Sequence, residues 1–169
     1  MNIDTGRTVL ALDELLTELG PPELADLVQY TPPGYSDQAQ AAAAAMAAEV
    51  AAARATGMFD DAAGRLVDEH PSWVRLPLLA ALVGWWRGDA DVCIHDPHPD
   101  RPQPVHAAAW RPNLVVCSAC SHLLRAPRRR TCGGCGHTAP DVTAFATIAG
   151  GFSYTAAVCD GCRYWRAAA

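Results

Sequence analysis

The sequence predicts an α+β chain, with a helical domain over residues 1–90 and a small β-rich, cysteine-stapled domain over residues 91–169. Three observations carry that expectation. Apolar residues recur at helical spacing through the first half, and the period disappears after Asp91. Prolines crowd the segment from Pro97 to Pro104. The second half holds three Cys-x-x-Cys pairs, Cys117/Cys120, Cys132/Cys135 and Cys159/Cys162. A length of 169 residues suits one domain or two small ones.

The helices follow in order. Val9, Leu10, Leu12, Leu15, Leu16 and Leu19 lie at helical spacing, and Gly20-Pro21-Pro22 stops the run. A second helix fits Glu23 to Tyr30, with Pro22 in its first turn. Thr31 to Tyr35 reads as a turn, after which Ser36 or Asp37 caps an alanine-rich helix ending at Thr56 and Gly57. That helix offers Met46 and Val50 as its large apolar groups, so it is expected to act as a strut. A further helix fits Asp61 to His70, and Ser72 caps a last one reaching Trp86. Pro77 should kink that helix or move its start to about Leu76. Trp73, Trp85 and Trp86 are the expected core where the helices meet the second half, and His70 is expected as a surface or capping histidine.

Asp89 to Asp91 marks the boundary. Pro97, Pro99, Pro102 and Pro104 then make an extended segment whose missing donors keep it out of a central strand. Leu114 to Val116 and Val142 to Ile148 read as strands, and Gly150-Gly151 turns the second into a hairpin returning through Phe152 to Val158.

All 13 basic residues are arginine, a bias that a GC-rich bacterial genome produces and that says little of function. The net charge of −5 argues against a protein that coats nucleic acid. Charge is uneven: residues 1–92 balance at −9 and residues 93–169 at +4. The N-terminus lacks the basic-then-apolar order of a secretory signal. The longest apolar stretch, Leu76 to Trp86, falls short of the ~20 residues that span a bilayer. A cytoplasmic chain is therefore expected, and seven cysteines in that reducing compartment read as metal ligands before disulfides.

A two-residue gap lets both thiolates of one tight turn face a single ion, and four such donors close a tetrahedral zinc site. The third pair needs partners. Cys93, the unpaired cysteine, opens Cys93-Ile94-His95-Asp96-Pro97-His98, and Cys93 with one histidine brings the donors to eight, the number two closed sites require. His95 is the preferred histidine, with His98 and His106 as alternatives, and Asp96 is placed to orient a ligating imidazole. The bland alternative for Cys93 is buried filler. The expectation is two zinc ions held by Cys93, His95, Cys117, Cys120, Cys132, Cys135, Cys159 and Cys162.

The run Val116-Cys117-Ser118-Ala119-Cys120-Ser121-His122-Leu123-Leu124, with Cys132-Gly133-Gly134-Cys135-Gly136 after it, resembles the short zinc ribbons of RNA-polymerase subunits and ribosomal proteins. The resemblance covers about residues 115–137 and implies a fold and a metal, not a function. It implies that Cys117, Cys120, Cys132 and Cys135 share one ion, leaving Cys93, His95, Cys159 and Cys162 for the other; sequential and interleaved pairings use the same donors.

Arg125, Arg128, Arg129 and Arg130 decorate the expected hairpin between the first two pairs, where they are placed either to touch phosphate or to form a solvated loop. Templates for catalytic zinc fail, since there is no His-Glu-x-x-His and no His-x-Glu before Pro-Cys-x-x-Cys. The expected function is a non-enzymatic zinc-binding adaptor or regulator, with DNA, RNA or a protein of the transcription or translation machinery as partner. The alternatives are a redox- or zinc-responsive interaction switch, and a zinc-dependent hydrolase or nuclease using His95 and His98.

Overall fold

The structure, a computed structural model, describes residues 3–18, 34–57 and 70–163. The element order is α1 (Ile3–Glu18), α2 (Tyr35–Ala55), α3 (Ser72–Trp86), β1 (Asp91–Val92), β2 (Val105–Ala108) and β3 (Arg111–Cys117). A 3-10 segment (Ser118–Leu124) comes next, then β4 (Arg130–Thr131), β5 (Thr138–Ala139), β6 (Thr143–Ala149), β7 (Phe152–Val158) and the short α4 (Asp160–Arg163). The chain is α+β, as its patterning predicts. The helix expected over 23–30, the stop at Gly20-Pro21-Pro22 and the helix expected from Asp61 to His70, apart from His70 itself, lie outside the described residues.

Five strands form a mixed sheet in the order β1-β3-β2-β7-β6, and β4 pairs with β5 in a separate hairpin. The β1–β3 and β2–β7 pairs are parallel; β2–β3 and β6–β7 are antiparallel. The hairpin expected across Gly150-Gly151 forms, with Gly150 at φ 58, a left-handed position that costs glycine little. The proline segment is not extended throughout: it turns at Pro99-Asp100, with the Arg101 N–H on the His98 carbonyl at 3.0 Å, and the chain then enters β2, a central strand with no sequence signal of its own. Its four residues, Val105-His106-Ala107-Ala108, are too short and too alanine-rich to show alternation.

Alternation along the strands divides the sheet into two dissimilar faces. Val105, Ala107, Val115, Phe145, Phe152, Tyr154 and Ala156 join residues of α1 and α3 in one buried core. Between those two helices, Arg75 pairs with Asp13, using Nε on one carboxylate oxygen and Nη2 on the other. The opposite face carries His106, Ser153 and Thr155, and α2 lies over it. Ala42, Met46 and Val50 are the buried residues of α2, spaced four apart in a narrow stripe. Gly151 shows how close this layer approaches: a Cβ there would stand 3.1 Å from the Ala42 methyl.

Local details depart from the sequence reading. Helix α2 starts at Tyr35 behind Gly34, at φ 80, and neither Ser36 nor Asp37 caps it. Helix α3 runs from Ser72 straight through Pro77, so the proline does not displace its start. Burial of Val74, Leu78, Leu79, Val83 and Trp85 along that helix outweighs the ~3 kcal/mol that an interior proline costs. Trp85 and the half-buried Trp73 do pack in the core, but Trp86 is 61% exposed. His70 is no surface histidine: it is buried, and its Nε2 lies 2.6 Å from Thr147 Oγ1 on β6. No described helix is long and apolar enough to cross a membrane.

Candidate metal centres

Two four-residue groups gather the expected donors. Cys93, His95, Cys117 and Cys120 form one, and Cys132, Cys135, Cys159 and Cys162 form the other; in each, the ligand atoms lie within 4.8 Å of one another. The grouping is sequential. The ribbon arrangement, with Cys117 and Cys120 beside Cys132 and Cys135, is not what the chain adopts.

Strand pairing explains the difference. Parallel register sets Val92 of β1 opposite Val115 of β3, so Cys93, the next residue, arrives beside the end of β3 where Cys117 sits. The Cys117 N–H donates to Cys93 Sγ at 3.5 Å, and the two sulfurs stand 3.7 Å apart. Behind Cys93 the chain turns tightly, with the Asp96 N–H on the Cys93 carbonyl at 2.9 Å and Asp96 at φ 47. That turn brings His95 Nδ1 to 3.3 Å from both Cys117 Sγ and Cys120 Sγ. Asp96 does not orient the imidazole; its carboxylate faces Arg101 at 3.8 Å.

The second knuckle is the turn of the β4–β5 hairpin, closed by the Cys132 N–H on the His137 carbonyl at 2.7 Å. Its Gly133 N–H donates to the Ala157 carbonyl of β7 at 3.0 Å, which parks it where β7 ends and Cys159 begins. Cys135 Sγ then lies 3.6 Å from Cys159 Sγ. Space at this turn is tight: a Cβ on Gly133 would meet Trp73 Cε3 at 2.7 Å, so something would have to shift, and one on Gly134 would meet Cys162 Sγ at 3.1 Å. Gly136, at φ 74, makes a left-handed step after this pair, which costs glycine little.

The donor sets fit a tetrahedral ion. Four sulfurs at about 2.3 Å from a metal stand about 3.8 Å from each other. The observed sulfur separations of 3.7 and 3.6 Å match that edge. They are far beyond the ~2.05 Å of a disulfide, and all seven cysteines are free. Electrostatics points the same way. In the first group burial works to raise the Cys93 thiol, but the backbone N–H groups of Cys117 and His95 carry it down to about 7. Cys120 is pushed up to about 11, by burial and then by its sulfur neighbours. In the second group Cys132 falls to about 6, backbone N–H groups of Cys159, Cys135 and Gly134 overcoming burial. Cys162 rises to about 12, first through its contact with Cys135. In each group one thiol is drawn down by backbone N–H groups and another is pushed up by its sulfur neighbours, as crowding of several sulfurs around one point produces.

The remaining candidates go elsewhere. His98 Nδ1 accepts the Asp100 N–H at 3.2 Å and lies outside both groups, so the His95/His98 pair of the hydrolase reading does not assemble around one ion. His106 Nε2 lies 3.2 Å from Glu49 Oε2 and 3.2 Å from Ser118 Oγ, while Ser118 Oγ donates to Glu49 Oε1 at 2.7 Å. Sequence reasoning passes over Glu49 and Ser118, one in an alanine run and the other inside a Cys-x-x-Cys pair. The four arginines do not sit on a common hairpin: Arg129 Nη2 donates to the Thr138 carbonyl at 3.3 Å and Arg130 Nη1 to the Val142 carbonyl at 2.7 Å. Arg125 and Arg128 are exposed.

Comparison of the chain with protein-family models, curated proteins and solved structures returns no match.

Proposed function

We propose that the chain is a two-zinc scaffold that works by binding a partner, and that its metal ions are structural. The observation that carries this reading is the division of eight donors into two sets of four. Thiolate-rich, four-coordinate donors suit Zn²⁺, and a site filled by protein ligands leaves no position for substrate. Each ion ties distant parts of the chain together. The first joins the segment after β1 to the end of β3; the second joins the β4–β5 hairpin to the end of β7. Elemental analysis of the purified chain is expected to find two zinc atoms and essentially no iron. One zinc atom, or visible cluster absorbance, overturns the two-site reading.

The partner we propose is nucleic acid or a nucleoprotein. Arg125 and Arg128 support it, lying exposed near the anchored Arg129 in a half of the chain that is net basic before metal binds. Mobility of single-stranded RNA and DNA with the pure protein at two salt concentrations tests it. Arg128→Ala should weaken binding and lower the salt slope by about one unit. No binding to either strand type shifts the partner to a protein.

A further inference from the structure

The sheet face that carries His106, Ser153 and Thr155 leaves a cavity beneath α2. Its volume is about 790 Å³, within the range of small-molecule sites. The floor is His106 of β2, Ser153 and Thr155 of β7 and Ala144 of β6; Glu49, Val50 and Ala53 of α2 form the opposite wall. Trp110, Leu124, Arg125 and Arg130 contribute to the side.

The two ends of this cavity differ in charge. Register places His106 opposite Ser153, and Ser153 opposite Ile148 of β6, four residues along that strand from Ala144. At ~3.3 Å per residue and ~4.8 Å per strand, the floor from His106 to Ala144 runs roughly 16 Å diagonally. The His106 end is acidic. Burial pushes the imidazole below its usual value, against the pull of the Glu49 carboxylate in the other direction. Glu49 is the acidic side chain at this end, its two carboxylate oxygens meeting Ser118 Oγ and His106 Nε2. The other end is basic. Arg130 is anchored by Nη1 to the Val142 carbonyl next to β6, its Nε is buried without an acceptor, and its Nη2 has no protein partner among the described residues. Arg125, at the 3-10 segment's exit, lines the same cavity, and Trp110 is held next to it by Nε1 on the Leu124 carbonyl at 2.8 Å.

We infer that this cavity binds a nucleotide unit, with phosphate at Arg125 and Arg130 and a hydrogen-bond-donating base or sugar edge toward Glu49. Arginine suits phosphate through its fork of donors. A carboxylate accepts from amino or hydroxyl groups, and the Trp110 and Leu124 wall suits a flat, weakly polar ring. A bare inorganic anion uses only one end of the site, and an amino acid is too short to span it. The inference deepens the nucleic-acid part of the proposed function by naming where a nucleotide sits, and it is independent of the zinc assignment.

Titration calorimetry of the zinc-loaded full chain tests it, using the four ribonucleoside 5′-monophosphates, inorganic phosphate and a short single-stranded RNA. At least one monophosphate or the RNA should bind saturably, more tightly than phosphate. Arg130→Gln and Glu49→Gln should each weaken that binding about tenfold or more. Ala53→Leu, which narrows the cavity and removes no charge, should do the same with zinc content unchanged, so that loss of an anchoring contact is not mistaken for loss of a ligand. Binding of RNA that all three variants leave intact overturns the cavity site while sparing the nucleic-acid partner. Monophosphate binding without RNA binding upholds the cavity and overturns the strand as partner. Phosphate binding as tight as any monophosphate, or no binding of any probe, overturns the inference.

Discussion

Replacing Cys93 and Cys117 with serine in one chain removes two donors from the first group and none from the second. Structural zinc sites bind with an apparent ~10–16 kcal/mol at neutral pH, so each of four donors carries roughly 2.5–4 kcal/mol. Loss of two then costs roughly 5–8 kcal/mol, a fall in affinity of about 10⁴- to 10⁶-fold. That empties the first site in any buffer with trace chelator and leaves the second filled. Elemental analysis should find one zinc atom. Amide exchange should show lost protection over the 3-10 segment, because Cys120 and Leu124 share a small buried cluster with Cys93, Val116 and Cys117. Residues 130–139 and the β6–β7 hairpin should keep theirs. The ribbon pairing makes a different forecast, since there the double variant takes one donor from each site and weakens both alike. A chain with no zinc, or with two atoms, refutes the grouping.

Two further perturbations probe what holds these groups. Gly133→Ala drives a methyl against the Trp73 ring and should destabilise the chain by about 1–3 kcal/mol in thermal or urea unfolding. It should also speed zinc loss from the second site alone, and unchanged unfolding would show that Trp73 yields freely. In the metal-free chain, stability should rise as pH is raised from about 6 toward 9. Cys93 and Cys132 are depressed to about 7 and about 6 from an ordinary 9.0, so their contribution is full above 9.0 and is lost as pH falls through those values. Above 9.0 the trend should reverse, because Cys120 and Cys162 are raised to about 11 and about 12 and their contribution is lost as pH climbs through those values. Urea midpoints measured across that range check both slopes, and a flat profile contradicts them.

The donors were legible in the chain because their signal is local. A two-residue gap forces two thiolates onto one turn whatever surrounds it, and Cys93 with His95 completes the count without reference to the fold. The α+β class, the β6–β7 hairpin and the described helices of the first half were legible for the same reason, since periodicity and Gly-Gly turns are short-range features. Which pairs come together in one group was decided by long-range contacts. Parallel pairing of β1 with β3 carries Cys93 to Cys117, and the Gly133 bond to Ala157 carries the second knuckle to Cys159. Neither contact has a counterpart in residue spacing. The same holds for the buried His70, which needs Thr147 of β6 to become a core group, and for Glu49, His106 and Ser118, which converge from a helix, a strand and a knuckle. Local sequence determines which side chains a segment offers and how its backbone turns; which offers meet depends on strand register and on the faces that burial brings together.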